Sequence, residues 1–190
     1  MGERLGILGG TFDPIHYGHL VLAEEVKDSL RLDRVLFVPA FLPPHKPSDR
    51  ILSAHHRAKM AALAIRGNRD FKLSRVELSR RSVCYTVETL KSLRKANPGA
   101  SLFFIAGSDS VGELSGWRES QTIFSLCTFV IAKRPRFPLS GVPFGCRVVE
   151  IALLDIASSD IRARVAKGRS IRYLVPESVR RYIKRHNLYQ

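Results

Sequence analysis

This chain of 190 residues has few cysteines and no long apolar run, and each shortage excludes a class of protein. Its three cysteines are odd in number and widely spaced, which argues against a disulfide-stabilised secreted domain and favours a reduced protein. No apolar stretch approaches the roughly 20 residues that a membrane-spanning helix needs. The opening stretch MGERLGILGG also lacks the apolar core of a signal peptide. We therefore expect a cytoplasmic protein with no membrane partner.

Acidic residues are also scarce, because 17 Asp and Glu oppose 31 Lys and Arg, giving a formal net charge of +14. Nine of the basic residues and only two acidic ones lie between Asp160 and Gln190. Such an excess attracts polyanions, either nucleotides or nucleic acid. The same charges suit an ordinary solvated helix surface, and we favour that interpretation for most of them. Nucleic acid is therefore the less favoured partner.

Several common site motifs are absent from the sequence. There is no CxxC pair and no HExxH, so a zinc site has no recognisable ligand spacing, and we expect no metal held by the protein itself. There is no GxGxxG, which excludes the usual dinucleotide-binding loop. Hydrophobic residues make up 45% of the chain and charged residues 25%, as in ordinary globular proteins. We expect a single domain over 1–190, with a C-terminal helical part over about 158–190.

Strand patterns alternate with helix patterns along the chain, which predicts an α/β fold with a mainly parallel sheet. Strands are predicted over 5–8, 34–39, 71–78, 102–106, 128–132 and 148–154. Helices are predicted from 16 or 18 to 30 and over 53–66, 85–96, 117–126 and 158–167, with a last one from 176. Ligands bind beyond the carboxyl ends of the strands in such sheets. Four loops rich in glycine, proline or polar residues follow predicted strands there, namely GGTFDP, PPHK, GSD and SSDIR.

The stretch GGTFDPIHYGHL, over 9–20, combines several features of a phosphate site. Gly9 and Gly10 let the backbone approach a ligand closely. A helix that begins directly after them offers free N–H groups and a positive dipole to an anion. His16 and His19 are three residues apart, so both side chains can project from one face of its first turn. Imidazoles there can donate hydrogen bonds to phosphoryl oxygens.

The HxGH signature after a GGTFDP loop resembles that of the nucleotidyltransferase superfamily of adenylyl- and cytidylyltransferases. The whole twelve-residue stretch is similar to that of bacterial nicotinate-nucleotide adenylyltransferases, and the resemblance covers nearly the whole chain. It implies a Rossmann-like fold. It also implies transfer of an adenylyl group from ATP to nicotinate mononucleotide, giving nicotinate adenine dinucleotide (deamido-NAD) and pyrophosphate, in NAD biosynthesis. Mg²⁺ is implied as the companion of ATP, held mainly by the phosphates.

The resemblance also implies roles for individual residues in phosphate chemistry. His16 and His19 would bind phosphoryl oxygens, and His19 would stabilise the charge that develops during transfer. Lys46 would reach in from the PPHK loop, which its prolines stiffen. The remaining ATP and phosphate contacts would come from Gly9, Gly10, Thr11, Phe12, Gly107, Asp109, Arg134, Ser158 and Ser159.

The SSDIR segment resembles the family motif ISSTxIR, with Ala157 in place of the first serine and Ser159 in place of threonine. Serines at a helix start cap the helix and bind phosphate through hydroxyl and N–H groups. Arg162 lies one turn further on, where its guanidinium can meet a phosphate in bidentate fashion. The resemblance therefore implies that Arg162 is a catalytic residue, and Ala157 removes one expected contact.

Recognition of nicotinate is implied at two further places. Tyr85 and Thr86 match the family's SYT element, with Cys84 in place of serine. A carboxylate at the start of the helix there would meet free N–H groups. Trp117 ends GSDSVGELSGW, which is similar to the family's GxDxxxxLxxW, and its ring could stack on the cationic pyridine ring.

Three alternatives stay open at this point. The acceptor could be nicotinamide mononucleotide or phosphopantetheine instead, although Thr86 and Trp117 argue against pantetheine. The chain could also be a nucleotide- or RNA-binding module without catalysis, against which the intact histidine pair argues. The sequence does not give the oligomeric state, so a homo-oligomer stays open.

Overall fold

One six-stranded sheet organises the part of the chain that the computed structural model describes, which is residues 2–44, 51–133, 142, 145–152 and 154–190. Every neighbouring pair of strands is parallel, in the order β3-β2-β1-β4-β5-β6. The strands are β1 (Arg4–Gly10), β2 (Arg34–Pro39), β3 (Phe71–Leu73), β4 (Ser101–Gly107), β5 (Thr128–Lys133) and β6 (Arg147–Glu150). This arrangement confirms the predicted α/β fold with a mainly parallel sheet, and the strand order is that of a Rossmann-like fold.

Helices connect the strands and cover both faces of the sheet. They are α1 (Tyr17–Ser29), α2 (Ala54–Ala64), α3 (Val76–Arg80), α4 (Thr86–Ala96), α5 (Ser120–Leu126), α6 (Ser158–Ala166) and α7 (Glu177–Arg185). A 3₁₀ helix over Ser108–Gly116 directly follows β4. In the described parts of the chain, no helix is long and apolar enough to span a bilayer.

The core has two layers because successive side chains of a strand point to opposite faces of the sheet. On β1, Leu8 faces a cluster that α1, α2, α6 and α7 complete, whereas Ile7 faces a cluster that α4 and α5 complete. Both side chains are buried, as expected for strands covered by helices on both sides. The sheet, packed between helices on both faces, therefore fixes the positions of the loops that connect its strands to those helices.

Three element predictions need correction. The strand predicted over 71–78 ends at Leu73, and α3 follows it, because α3 turns Glu77 inward to meet Thr89 of α4. The helix predicted over 117–126 begins only at Ser120, since the chain up to Gly116 forms the 3₁₀ helix that the sequence did not reveal. The last predicted strand, 148–154, is observed over Arg147–Glu150.

The order of the strands also determines where a ligand can bind. The chain runs outward in one direction from β1 to β2 and β3, and in the other direction from β4 to β5 and β6. The connections therefore diverge above the carboxyl ends of β1 and β4 and leave a crevice there.

Candidate active site

A cavity of about 710 Å³ opens at the crevice between β1 and β4. Its lining comes from the loop after β1, the starts of α1, α4 and α6, the end of β4 and the segment after the 3₁₀ helix. Twelve of the site residues predicted from the sequence line it, which are Gly9, Gly10, Thr11, His16, His19, Tyr85, Thr86, Gly107, Trp117, Ser158, Ser159 and Arg162.

The two histidines lie together at the start of α1. His16 is the N-cap residue of the helix, and its ring centroid lies 3.7 Å from that of His19. The His16 backbone N–H donates to Nδ1 of His19 over 3.3 Å, so in the neutral ring Nε2 carries the proton. His19 can therefore present an N–H donor at Nε2.

Gly18 and Phe12 hold these rings in place. A Cβ on Gly18 would lie 3.0 Å from Nδ1 of His16, so glycine leaves the space that the imidazole fills. Phe12 is 1% exposed and packs edge-on against His19, with the ring centroids 5.1 Å apart. Its side chain supports the His19 ring and is not part of the cavity lining, and the phosphate contact of Phe12 stays a prediction. Because Phe12 lies at a φ of +50°, its side chain turns away from the strand direction and into the core.

A buried arginine that the sequence patterns did not single out fixes the loop after β1. Arg57 of α2 is 1% exposed, and its guanidinium donates to three backbone carbonyls. Its Nη1 lies 2.7 Å from the Thr11 oxygen, its Nη2 2.9 Å from the Phe41 oxygen and its Nε 2.8 Å from the Leu52 oxygen. Arg57 therefore joins the loop after β1, the segment after β2 and the segment before α2 below the cavity.

The start of α6 is attached to the same loop. Arg162 donates from Nη1 to the Asp13 carbonyl over 2.8 Å, and the Ser158 hydroxyl donates to the Pro14 carbonyl over 2.9 Å. Ala157 is the N-cap residue of α6, so Ser158 does not cap the helix as predicted but ties it to the loop. Arg162 thus lines the same cavity as the histidine pair, while its position is set by the loop backbone.

The other end of the cavity has a different character. Tyr85 is the N-cap residue of α4 and Thr86 is its first helical residue, so the helix begins one residue later than predicted. Trp117 is half-buried and packs edge-on against Phe104 and Phe129, with both centroid distances 5.9 Å. This aromatic wall suits a flat ring.

Three more residues in this end of the cavity were not predicted. The Arg118 guanidinium carbon lies 4.9 Å from the centroid of the Tyr85 ring. Glu77 is buried and accepts a hydrogen bond of 2.6 Å from the Thr89 hydroxyl. Among the described lining residues Glu77 is the one acidic side chain. The other polar groups of the lining are arginines, histidines, hydroxyl groups and backbone atoms.

Some predicted residues cannot be compared with this geometry. Lys46 and Arg134 lie outside the described residues, and so does the side chain of Asp109. Within the described ranges, no cluster of three or more His, Cys, Asp or Glu side chains could hold a metal ion.

Comparisons with known proteins agree on one family. The sequence profile of the cytidylyltransferase-like family matches residues 7–164. A protein of Exiguobacterium sibiricum named "Probable nicotinate-nucleotide adenylyltransferase" is 45% identical over 98% of each chain. A protein of the same name from Thermomicrobium roseum is 46% identical over 99% of this chain and 92% of its own.

Solved structures share the fold. The nicotinic acid mononucleotide adenylyltransferase of Plasmodium falciparum complexed with NaAD matches with a TM-score of 0.83 and 22% identity, over 98% of this chain and 97% of its own. The same enzyme complexed with APC matches with a TM-score of 0.81 and the same identity and coverage. The chain therefore belongs to the cytidylyltransferase-like family and, within it, to the nicotinate-nucleotide adenylyltransferase family.

Proposed function

We propose that the protein transfers the adenylyl group of ATP to nicotinate mononucleotide, forming nicotinate adenine dinucleotide and pyrophosphate in NAD biosynthesis. One observation carries the proposal: a single cavity joins two kinds of site at the β1–β4 crevice. Its histidine and arginine end, with His16, His19 and Arg162, suits phosphates. Its other end, with the start of α4 and Trp117, suits an aromatic carboxylate. The names of the curated relatives support the same reaction.

The chemistry needs positioning and charge more than a protein nucleophile. A phosphate oxygen of the acceptor attacks the α-phosphorus of ATP, a new P–O bond forms, and the bond to the bridging oxygen of the β-phosphate breaks. The electron pair of that bond leaves with pyrophosphate. The attacking oxygen is already ionised at neutral pH, so no general base is required. The protein's task is to align the two phosphates and to stabilise the charge on the transferring group.

We assign the second task to His19. Its Nδ1 accepts from the backbone, so its Nε2–H can donate to an oxygen of the α-phosphate. His16 lies against it and Arg162 lines the same cavity, so additional positive charge or donors can meet the triphosphate. Gly9, Gly10 and Thr11 add backbone N–H groups at the end of β1. Lys46, Asp109 and Arg134 remain proposed ATP contacts on the strength of the sequence resemblance.

Magnesium is proposed to enter as part of the substrate complex with ATP. The described donors around the cavity are imidazoles, guanidinium groups and hydroxyls, with Glu77 occupied by Thr89. Such a set suits the phosphate oxygens of the complex rather than the ion. The phosphates would therefore supply most of its ligands.

The acceptor would bind at the Trp117 end. Its carboxylate would meet the backbone N–H groups at the start of α4, next to Tyr85 and Thr86. Its cationic pyridine ring would lie against Trp117. We also propose a cytoplasmic location, which the three free thiols support, since Cys84 and Cys127 are buried and unpaired.

The first test is pyrophosphate release from Mg-ATP with nicotinate mononucleotide, nicotinamide mononucleotide or phosphopantetheine as the acceptor. A strong preference for the nicotinate compound is expected. Comparable rates with the amide would retain adenylyl transfer and refute the carboxylate site at α4. Release with phosphopantetheine alone would replace the proposed acceptor.

The catalytic assignment is tested by His19→Ala, with the exposed His55→Ala as the matched control. We expect kcat to fall by about two to three orders of magnitude in the first variant, as for loss of one transition-state donor, and to stay unchanged in the control. Full activity of a folded His19→Ala protein would overturn the role of His19. Tight, salt-sensitive RNA binding without pyrophosphate release by the wild type would favour the binding-module alternative.

A further inference from the structure

A tyrosine that follows α7 reaches the loop of the candidate active site. The Tyr189 hydroxyl donates to Oδ1 of Asp13 over 2.6 Å, although the two residues are 176 positions apart in the sequence. Asp13 is 3% exposed and precedes Pro14 in the loop between β1 and α1. The contact therefore joins the segment after the last helix to the loop that lines the phosphate end of the cavity.

The backbone after α7 is shaped to make this contact. Asn187 and Tyr189 have φ values of +49° and +64°, a left-handed conformation that costs conformational energy for residues other than glycine. Between them Leu188 is buried in the core, and its N–H donates to the Ile183 carbonyl over 3.1 Å. The chain thus turns back sharply after α7, and the turn directs Tyr189 towards the sheet rather than into solvent.

Asp13 links Tyr189 to Arg162, because it accepts hydrogen bonds from both. Its backbone carbonyl accepts from Nη1 of Arg162 over 2.8 Å, while its carboxylate accepts from the Leu52 N–H over 3.3 Å as well as from Tyr189. A shift of Asp13 would therefore move the acceptor that orients a guanidinium in the cavity wall. Arg57 holds the neighbouring Thr11 carbonyl and also the Leu52 carbonyl, and the N–H of that same Leu52 donates to Asp13, so the two supports meet at Leu52.

The hydroxyl is well suited to a fixed donor role. Burial, together with the hydrogen bond to Asp13, raises the pKa of Tyr189 far above its ordinary value. The group stays protonated at every pH at which the protein would work, so it donates to the carboxylate throughout.

We propose that Tyr189 is a positioning residue for adenylyl transfer, which acts through Asp13 to hold Arg162 in the orientation that meets the ATP phosphates. The inference rests on the proposed function for its kinetic consequences. Its structural content, that Tyr189 orders the loop over 11–16, is independent of the reaction.

The test is Tyr189→Phe, which removes the donor and keeps the ring. We expect kcat/KM for ATP to fall by about tenfold, as for loss of a hydrogen bond to a charged group. KM for the acceptor should stay within about twofold, because in the described residues the hydrogen bonds of Tyr189, Asp13 and Arg162 do not extend to α4. Tyr173→Phe is the matched control, since Tyr173 is 82% exposed, and its kinetics should equal those of the wild type. Equal losses for ATP and acceptor, or no loss, would overturn the proposal.

A double-mutant cycle separates positioning from general destabilisation. If Tyr189 acts through Arg162, the effect of Tyr189→Phe should largely vanish in an Arg162→Ala background. Additive losses of full size would show that Tyr189 acts elsewhere.

Amide hydrogen exchange keeps the inference distinct from the proposed reaction. In the substrate-free protein, the segment over 11–16 should exchange faster in Tyr189→Phe than in the wild type. Unchanged exchange there would overturn the proposal even if the enzyme is active. If the wild type shows no adenylyl transfer, the proposed function is refuted. The exchange rates of the segment over 11–16 would then still decide whether Tyr189 orders that loop.

Discussion

At the scale of single residues, the site depends on side chains that are absent as much as on those that are present. Gly18 separates the two histidines of the HxGH signature, and the His16 ring occupies the space that any Cβ there would need. Gly10 plays a similar part, because a Cβ on it would lie 2.8 Å from the Phe12 ring that supports His19. Both glycines therefore set ring positions.

The first prediction concerns Gly18→Ala. The added methyl would lie 3.0 Å from Nδ1 of His16, so the ring must shift and its stacking on His19 must change. Because the His16 ring needs to move by only a fraction of the roughly 1 Å that can cost about 100-fold in rate, we expect kcat to fall by about tenfold or less, with little loss of thermal stability. Steady-state kinetics and a thermal melt measure this. Gly112→Ala is the control, since its Cβ would contact nothing within 4 Å, and a variant of Gly18 as active as that control would contradict the prediction.

The second prediction concerns Arg57→Met. The substitution keeps much of the volume but leaves three carbonyls, those of Thr11, Phe41 and Leu52, without the donor they now have. Each loss leaves a polar group poorly satisfied, so the free energy of unfolding should fall by about 3 kcal/mol or more. Urea unfolding measures it. The exposed Arg66→Met should change the unfolding free energy by less than about 0.5 kcal/mol, and a similar small change for Arg57 would refute its supporting role.

At the scale of elements, α2 and α7 pack together through a group of aromatic and imidazole rings. Nδ1 of His56 on α2 lies 2.9 Å from the Tyr182 hydroxyl on α7. Its ring centroid is 5.5 Å from that of His186, which follows α7, and 5.9 Å from that of His55. Because the segment after α7 supplies Tyr189 to the loop of the site, this packing also influences the site.

The third prediction is that acid weakens the packing of α2 against α7. Burial lowers the pKa of His56 below its ordinary value of 6.5, and the like charges of His186 and His55 lower it further. The unfolded chain then binds a proton more readily than the folded one, so the stability contribution is complete above about pH 6.5 and is lost as the pH falls below it. Thermal melts between about pH 7 and about pH 5 measure the decline. His56→Gln should make it shallower, and an equal slope in that variant would contradict the assignment.

At the scale of the whole molecule, the net charge of +14 surrounds a cavity that we propose receives a polyanion. An excess of positive charge raises the rate of encounter with anionic substrates over distances of about a Debye length. Exposed pairs such as Arg181 with Glu177 are worth little for stability, so the excess is more relevant to substrate encounter than to the fold.

The fourth prediction is that salt slows capture of ATP. Raising the ionic strength from about 0.01 M to about 0.15 M shortens the Debye length from about 30 Å to about 8 Å, so kcat/KM for Mg-ATP should fall several-fold. The value of kcat at saturating substrate, which does not depend on encounter, should change much less. A kcat/KM that is independent of salt would show that the net charge has no part in capture.

Local patterns were sufficient for the parts of the site that neighbouring residues build. The strand β2 and the helix α4 lie within one residue of their predicted bounds. His16 and His19 lie together as their spacing predicted, although His16 is the N-cap residue and only His19 is in the first turn of α1. The strand-end loops could be placed at one edge of the sheet for the same reason, since parallel strands bring their carboxyl ends together. These inferences need only the periodicity of helices and strands, which can be read from neighbouring residues without knowing the fold.

The supports of the site depended on contacts between distant segments. Arg57 meets a carbonyl 46 positions away, Arg162 one 149 positions away and Tyr189 a carboxylate 176 positions away. In the sequence Arg57 looks like an ordinary helix arginine and Tyr189 like an ordinary surface tyrosine, and the motif that singled out Arg162 did not reveal its bond to the Asp13 carbonyl. Their roles follow from the strand order and from the way α2, α6 and α7 pack over β1, which are properties of the folded chain because long-range packing brings the partners together.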